Sequence, residues 1–288
     1  MAEKTNILMK IVKSLPFIGA SDPLVTVIEL NGAIGMNAPG RKDLNLLRLE
    51  KTIEAAFKPG NLAAVALAIN SPGGSPVQSR LIHNAIRRGA QERQVPVIAF
   101  IEDVGASGGY ILSIAADEIY ADESSIVGSI GVISGGFGFV EAIDKLGVER
   151  RVHTAGDNKS TLDPFKPEDP QEVARLEGIL TELHDQFIAL VRQRRPGKLS
   201  DDPVVFSGAF WTAPKAKELG LIDGTAQLGD FLRARYGKNV KIKRMSPASG
   251  SLLKKLMSGG DTSVPTFIDP DAAIAAAERR SLWARFGL

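Results

Sequence analysis

The chain has no cysteine, so neither a disulfide framework nor a cysteine metal site is open to it. That absence says little about compartment. Histidine is scarce as well: only His83, His153 and His184 are present, which leaves the commonest general base three places to stand. An excess of one charge is also missing. A formal net charge of +2, with 35 basic residues spread over 288, gives no footprint for a polyanion, and no nucleic-acid partner is expected. The one dense basic run, Arg192-Gln193-Arg194-Arg195-Pro196-Gly197-Lys198, closes a long expected helix, where the dipole favours cations. Long apolar runs are lacking too. The stretch 6–17 is apolar, but Lys10, Lys13 and Pro16 interrupt it well short of the ~20 residues a membrane span requires. The same lysines argue against a cleaved signal peptide. Residues 1–22 therefore read as an amphipathic extension, docked on the protein's own surface or lying on a membrane surface. The expected location is the cytoplasm or the membrane periphery.

What is present is ordinary for a globular enzyme, with 44% hydrophobic and 24% charged residues. Short apolar runs alternate with helical patterns. Strands are expected at 24–30, 65–70, 96–101, 119–120, 150–154 and 240–245, and helices at 44–57, 78–88, 111–116, 141–146, 171–195 and 227–236. This alternation predicts an α/β fold over residues 23–245, with the chemistry at the strand ends. Beyond 245 the Ser- and Gly-rich pieces 246–251 and 258–260 read as linker, and 272–286 as a terminal helix able to dock through Trp283 and Phe286.

Two glycine-bearing loops stand out. Val104-Gly105-Ala106-Ser107-Gly108-Gly109-Tyr110 sets one serine among glycines between an expected strand and an expected helix. Unpaired N–H groups at such a turn favour developing negative charge, which suits a nucleophilic hydroxyl and an oxyanion. Read alone, Ser107 reads first as a helix N-cap among glycines that allow close packing. The second loop, Ser71-Pro72-Gly73-Gly74-Ser75, also leaves a buried strand and opens a helix, and it is able to aim N–H groups at the same place from another direction.

A reactive hydroxyl needs a base. His83 and His184 fall in polar helical patterns and read as solvated, while His153 precedes the loop Ala155-Gly156-Asp157-Asn158-Lys159-Ser160. Lys159 is the alternative, because a lysine amine takes a serine proton directly once its surroundings lower the amine pKa toward ~7–8.

From about Val25 to Leu228 the sequence resembles the signal peptide peptidase A and SohB-type serine peptidases. Asn70-Ser71-Pro72-Gly73-Gly74 matches their first glycine loop, and Gly105-Ala106-Ser107-Gly108-Gly109-Tyr110 their nucleophile turn. Gly128-Ser129-Ile130-Gly131-Val132 matches the segment that follows. Lys159 matches the base of the short bacterial form, and Phe210-Trp211-Thr212-Ala213-Pro214-Lys215-Ala216 with Leu219-Gly220-Leu221-Ile222-Asp223 resembles the closing signature. The resemblance implies a crotonase-like (Clp/crotonase superfamily) core of repeated β-β-α units with a helical C-terminal extension. It implies Ser107 as nucleophile, Lys159 as general base, Ser129 orienting that lysine, and an oxyanion held by the N–H of Gly108 with one from Gly73 or Gly74.

The expected activity is that of a serine endopeptidase acting on apolar peptides such as signal-peptide remnants or membrane-protein segments, with no metal or cofactor. Peptide substrates and further copies of the same chain are its expected partners. A crotonase-type acyl-CoA enzyme and a non-catalytic peptide-binding scaffold are the alternatives.

Overall fold

A computed structural model describes residues 22–35, 43–246, 277 and 280–287. The N-terminal stretch 6–17 and the linker pieces 247–276 lie outside the described residues.

The frame is one sheet of eight strands in which all pairs but one are parallel. Along its main path the order is β6 (Phe210–Thr212), β5 (Ile126–Gly128), β3 (Val97–Ala106), β2 (Leu62–Ser71), β1 (Leu24–Asn31) and β8 (Lys241–Met245). Two further strands, β4 (Glu118–Ala121) and β7 (Gly224–Thr225), branch from β3. β3 forks: its first half pairs with β4, from Ile98 beside Glu118 to Ile101 beside Ala121, and its end pairs with β5, from Val104 beside Ile126 to Ala106 beside Gly128.

The unbroken apolar runs follow from burial on both faces. Along β2, Val65, Leu67 and Ile69 enter one core while Ala64, Ala66 and Ala68 enter the other. β3 splits the same way, with Val97, Ala99 and Ile101 against Ile98 and Phe100. The larger core is filled by α1 (Leu46–Phe57), α2 (Pro76–Arg93), α3 (Gly108–Ser113) and the C-terminal half of α5 (Pro170–Arg194), through residues such as Leu49, Ile82, Tyr110 and Phe187. On the alanine face the small side chains leave room for α7 (Leu228–Tyr236), whose Phe231 ring centroid lies 5.4 Å from that of Phe100. Ser75 caps α2 by accepting from the Gln78 N–H, with Pro76 in the first turn where its missing N–H costs nothing.

Two expectations need correction. Residues 150–154 form no strand. They are exposed, pair with no strand among the described residues, and Arg150 is drawn aside to the Asp163 carboxylate and the face of the Phe165 ring. His83 is not solvated. It sits on the inner side of α2 at 4% exposure, and burial pulls its pKa down to about 4, which keeps it neutral.

The short helix α3 is fixed from below. The buried Tyr110 hydroxyl donates to the Leu221 carbonyl at 2.7 Å, and the turn carrying that carbonyl follows α6 (Ala213–Glu218). Arg195 holds this turn: its guanidinium donates twice to the Gly220 carbonyl, at 3.0 and 2.8 Å, and once to the Asp223 carboxylate at 2.7 Å. Asp223 also accepts from Lys198 and from the Ile119 N–H, tying the turn to β4. Burial pushes the Asp223 carboxyl up, but these donors outweigh it and its pKa lies below the ordinary value.

Because Arg195 is almost wholly buried, Arg195→Ala strips the Gly220 carbonyl of both its guanidinium donors and Asp223 of one of its two cations, and is expected to cost about 3 kcal/mol in chemical denaturation. The Asp223 contribution has a definite pH sign. It is fully present above the unfolded aspartate pKa of ~3.9 and is lost as pH falls through the depressed folded value. Acid titration of stability should therefore flatten at low pH in Asp223→Asn relative to the parent, and identical acid profiles would remove the assignment.

Candidate active site

Neighbouring parallel strands end on the same edge of a sheet, and here the register makes that edge a site. Ser71 at the end of β2 pairs with Gly105 near the end of β3, so the two glycine loops leave the sheet side by side. They touch. A Cβ added to Gly73, whose φ is +97°, would meet the Gly108 nitrogen at 2.7 Å and the Ser107 Cβ at 2.8 Å, so only glycine fits. One added to Gly109 would meet the Ser71 carbonyl oxygen at 2.3 Å, which lets α3 lie directly on the end of β2.

Ser107 stands at the joint between β3 and α3 with φ 53° and ψ −122°, a conformation that a non-glycine residue adopts only under constraint. The constraint is visible. Its N–H donates to the Gly128 carbonyl of β5 at 2.9 Å, and its carbonyl accepts from the N–H groups of Tyr110 and Ile111. Although Ser107 occupies the N-cap position of α3, its side chain makes no capping hydrogen bond. The hydroxyl is therefore not spent on the helix, which removes the structural reason for a serine here.

The backbone donors around it are unequal. The Gly73 N–H is turned onto the Ser71 hydroxyl at 3.3 Å. Ile34 engages the same loop through its N–H to the Gly73 carbonyl and its carbonyl to the Ser75 N–H, which directs the Gly74 N–H to the other side. Among the described residues, neither the Gly74 nor the Gly108 N–H donates a hydrogen bond. Both lie at the Ser107 turn, since the Gly74 nitrogen is 3.3 Å from where a Gly108 Cβ would stand.

Ser129 follows β5 directly, beside the Gly128 carbonyl that anchors Ser107. It is buried, in the left-handed region at φ 54°, with its N–H on the Ala209 carbonyl at 2.7 Å. The structure thus brings Ser107, Gly73, Gly74, Gly108 and Ser129 to one edge. Lys159 is not among the residues that line the cavity onto which Ser107 opens. Lys159 is exposed on the segment between α4 (Val140–Lys145) and α5, and its amine makes no hydrogen bond or ion pair among the described residues. His153 is exposed on the same segment, and His184 on α5 bonds the Ile130 carbonyl at 3.0 Å.

Ser107 opens onto a cavity of about 330 Å³ lined largely by apolar side chains, among them Ile111, Val132, Ile133, Phe187 and Leu190. The α5 contribution repeats at helical spacing, Leu183, Phe187 and Leu190, a stripe present in the sequence but not read there as a site wall.

The sequence and the fold both have known relatives. The model of Peptidase family S49 matches residues 89–241, more than half of the chain, and takes in Ser107, Ser129 and Lys159. The chain is 48% identical over 273 residues to a Brucella abortus protein named Na(+)/H(+) antiporter NhaA, covering 92% of this chain and only 37% of that relative. It is 28% identical to the chloroplastic serine protease SPPA of Arabidopsis thaliana, over 83% of this chain and 37% of the relative. With Protease 4 of Salmonella typhi it shares 30% identity over 72% of this chain and 33% of the relative. The chain thus spans about a third of each of these relatives, and no helix among its described residues is long and apolar enough to cross a membrane. In fold it resembles a mutant of the 1510-N membrane-bound stomatin-specific protease, with TM-score 0.50 and 15% identity over 79% of this chain and all of that one. The matched segment holds the constrained Ser107 together with Gly108, Ser129 and Lys159, while Gly73 and Gly74 precede it, and the chain belongs to Peptidase family S49.

Proposed function

We propose that this chain is a Ser/Lys endopeptidase in which Ser107 is the nucleophile. The observation that carries the reading is the Ser107 turn itself, with a hydroxyl not used for capping and the unbonded N–H groups of Gly74 and Gly108 beside it. In this reading Ser107 Oγ attacks the peptide carbonyl while the Lys159 amine takes its proton. The two N–H groups receive the oxyanion, a type of stabilisation worth about 10²–10³ in rate per donor. The ammonium of Lys159 then protonates the leaving amine, and water, deprotonated by the same amine, releases the acyl group from Ser107. Of the two glycines proposed as second donor, Gly74 is favoured, because the Gly73 N–H is held by Ser71. Ser129, adjacent to the carbonyl that anchors Ser107, orients the lysine.

Apolar peptides, including signal-peptide remnants and membrane-protein segments, are the proposed substrates, supported by the character of the Ser107 cavity. Membership of a peptidase family favours peptides over acyl-CoA esters. The reading also keeps a crotonase-like core over residues 23–245, an amphipathic extension at 1–22, a tail from 246, and a place in the cytoplasm or at the membrane periphery.

In this reading Lys159 comes from a second copy. Its exposure in one chain is matched by a surface that wants covering: Ile133, Phe137, Leu146 and Val148 are 71%, 81%, 76% and 54% exposed, all on the run between β5 and α5. A homo-oligomer that buries this run and delivers Lys159 to a neighbour's Ser107 accounts for both.

Ser107→Ala should lower kcat/KM for an apolar peptide by about 10³-fold or more with thermal stability retained, and wild-type-like turnover would sink the mechanism. Lys159→Ala and Lys159→Arg should both be inactive, since alanine offers no base and arginine keeps its proton. Co-expressed Ser107→Ala and Lys159→Ala chains should recover about a quarter of the parental rate, because each site then needs one serine-bearing and one lysine-bearing neighbour. An oligomer without recovery rejects the shared site, and a fully active monomer rejects assembly.

A further inference from the structure

The C-terminal residues return to the catalytic edge. Residues 280–284 are helical, and Phe286 just beyond them is buried at 9% exposure against Val104 and Ala106, the strand positions that lead into Ser107. Trp283 packs on the same cluster, and the Phe286 ring meets Phe210 of β6 edge-on with centroids 5.0 Å apart. This anchor lies outside the Ser107 cavity. Leu282 and Arg285 do not: both line the cavity together with Ser107, Ile111, Phe187 and Leu190. With the tail in place the cavity still measures about 330 Å³. A plug would fill that space, whereas a segment anchored beside it and touching its rim acts as a wall.

We propose that the C-terminal segment completes the specificity pocket of the Ser107 site, with Leu282 as a specificity-determining residue that limits the size of the apolar side chain accepted. The inference rests on the reading of Ser107 as nucleophile. Leu282 is half-buried and contributes an isobutyl group to an apolar lining, so its size sets the room left for a substrate side chain. Phe286 acts through the others as a positioning residue: without it the wall has no foothold on β3.

The test uses the full chain and a pair of peptides that differ only in alanine or phenylalanine at the residue whose carbonyl is cleaved. Leu282→Ala should raise the phenylalanine-to-alanine ratio of kcat/KM about tenfold, the discrimination that a small change in an apolar pocket supplies. Leu282→Trp should lower the ratio by a similar factor, and Phe286→Ala should move it in the direction of Leu282→Ala. Opposite shifts from opposite changes at one position are not produced by a general loss of fold. The same variants in a Ser107→Ala background should shift the ratio of dissociation constants of the uncleaved pair in the same directions. Leu282 variants that leave both ratios within twofold of the parent overturn the proposal. Cleavage that survives Ser107→Ala overturns the nucleophile instead, and the binding ratios then still decide whether Leu282 forms the wall.

Discussion

The parallel register of β2 against β3 places Ser71 beside Gly105, and the meeting of the two glycine loops, on which the proposed chemistry rests, hangs on that one alignment. Two residues beyond Ser71 and four beyond Gly105, past the strand ends, backbones come within contact distance, which only glycine at 73 and 109 permits. A slip by one residue would reverse the faces of β2, sending its alanines into the large core and its valine, leucine and isoleucine toward α7. The division of large and small residues between the faces therefore fixes the register, and the register brings the two loops together. Sequence pattern, core packing and site geometry are one constraint seen at three scales.

A second layer keeps the turn from relaxing. Ser107 is held in an unfavourable conformation by its bond to β5 on one side and by α3 on the other, and α3 is pinned through Tyr110 to a turn that Arg195 clamps. A strained residue at a strand-to-helix elbow costs of order 1–3 kcal/mol, and it persists because these surroundings over-determine it. The buried arginine is thus part of the support for a serine far from it in the chain.

Much of this was legible in the amino-acid order. The strands of the inner sheet announced themselves as short apolar runs, and the two strand–glycine–helix loops marked the sheet edge where they meet, because apolar runs and glycine placement are local signals. What failed was context. Residues 150–154 carry the extended propensity of Arg-Val-His-Thr but pair with no described strand, and His83 looked polar in a polar helix although it faces the core. The cavity walls were unread for a different reason: Phe187 and Leu282 stand far from Ser107 in sequence, and no short-range pattern reports which distant stripe closes over a site. The same holds for Lys159, whose partner in the proposed mechanism belongs to another copy of the chain.

The outermost strand β8 carries Lys241, Lys243 and Arg244 exposed along its length, although Lys241 and Arg244 also find carboxylates on Asp22 and Glu29. An open strand edge is a template for adding another strand, and a row of like charges is one way proteins blunt it. Two copies approaching through β8 would bring cations face to face. Among the described residues no strand covers this edge, and its cations discourage sheet continuation between molecules there.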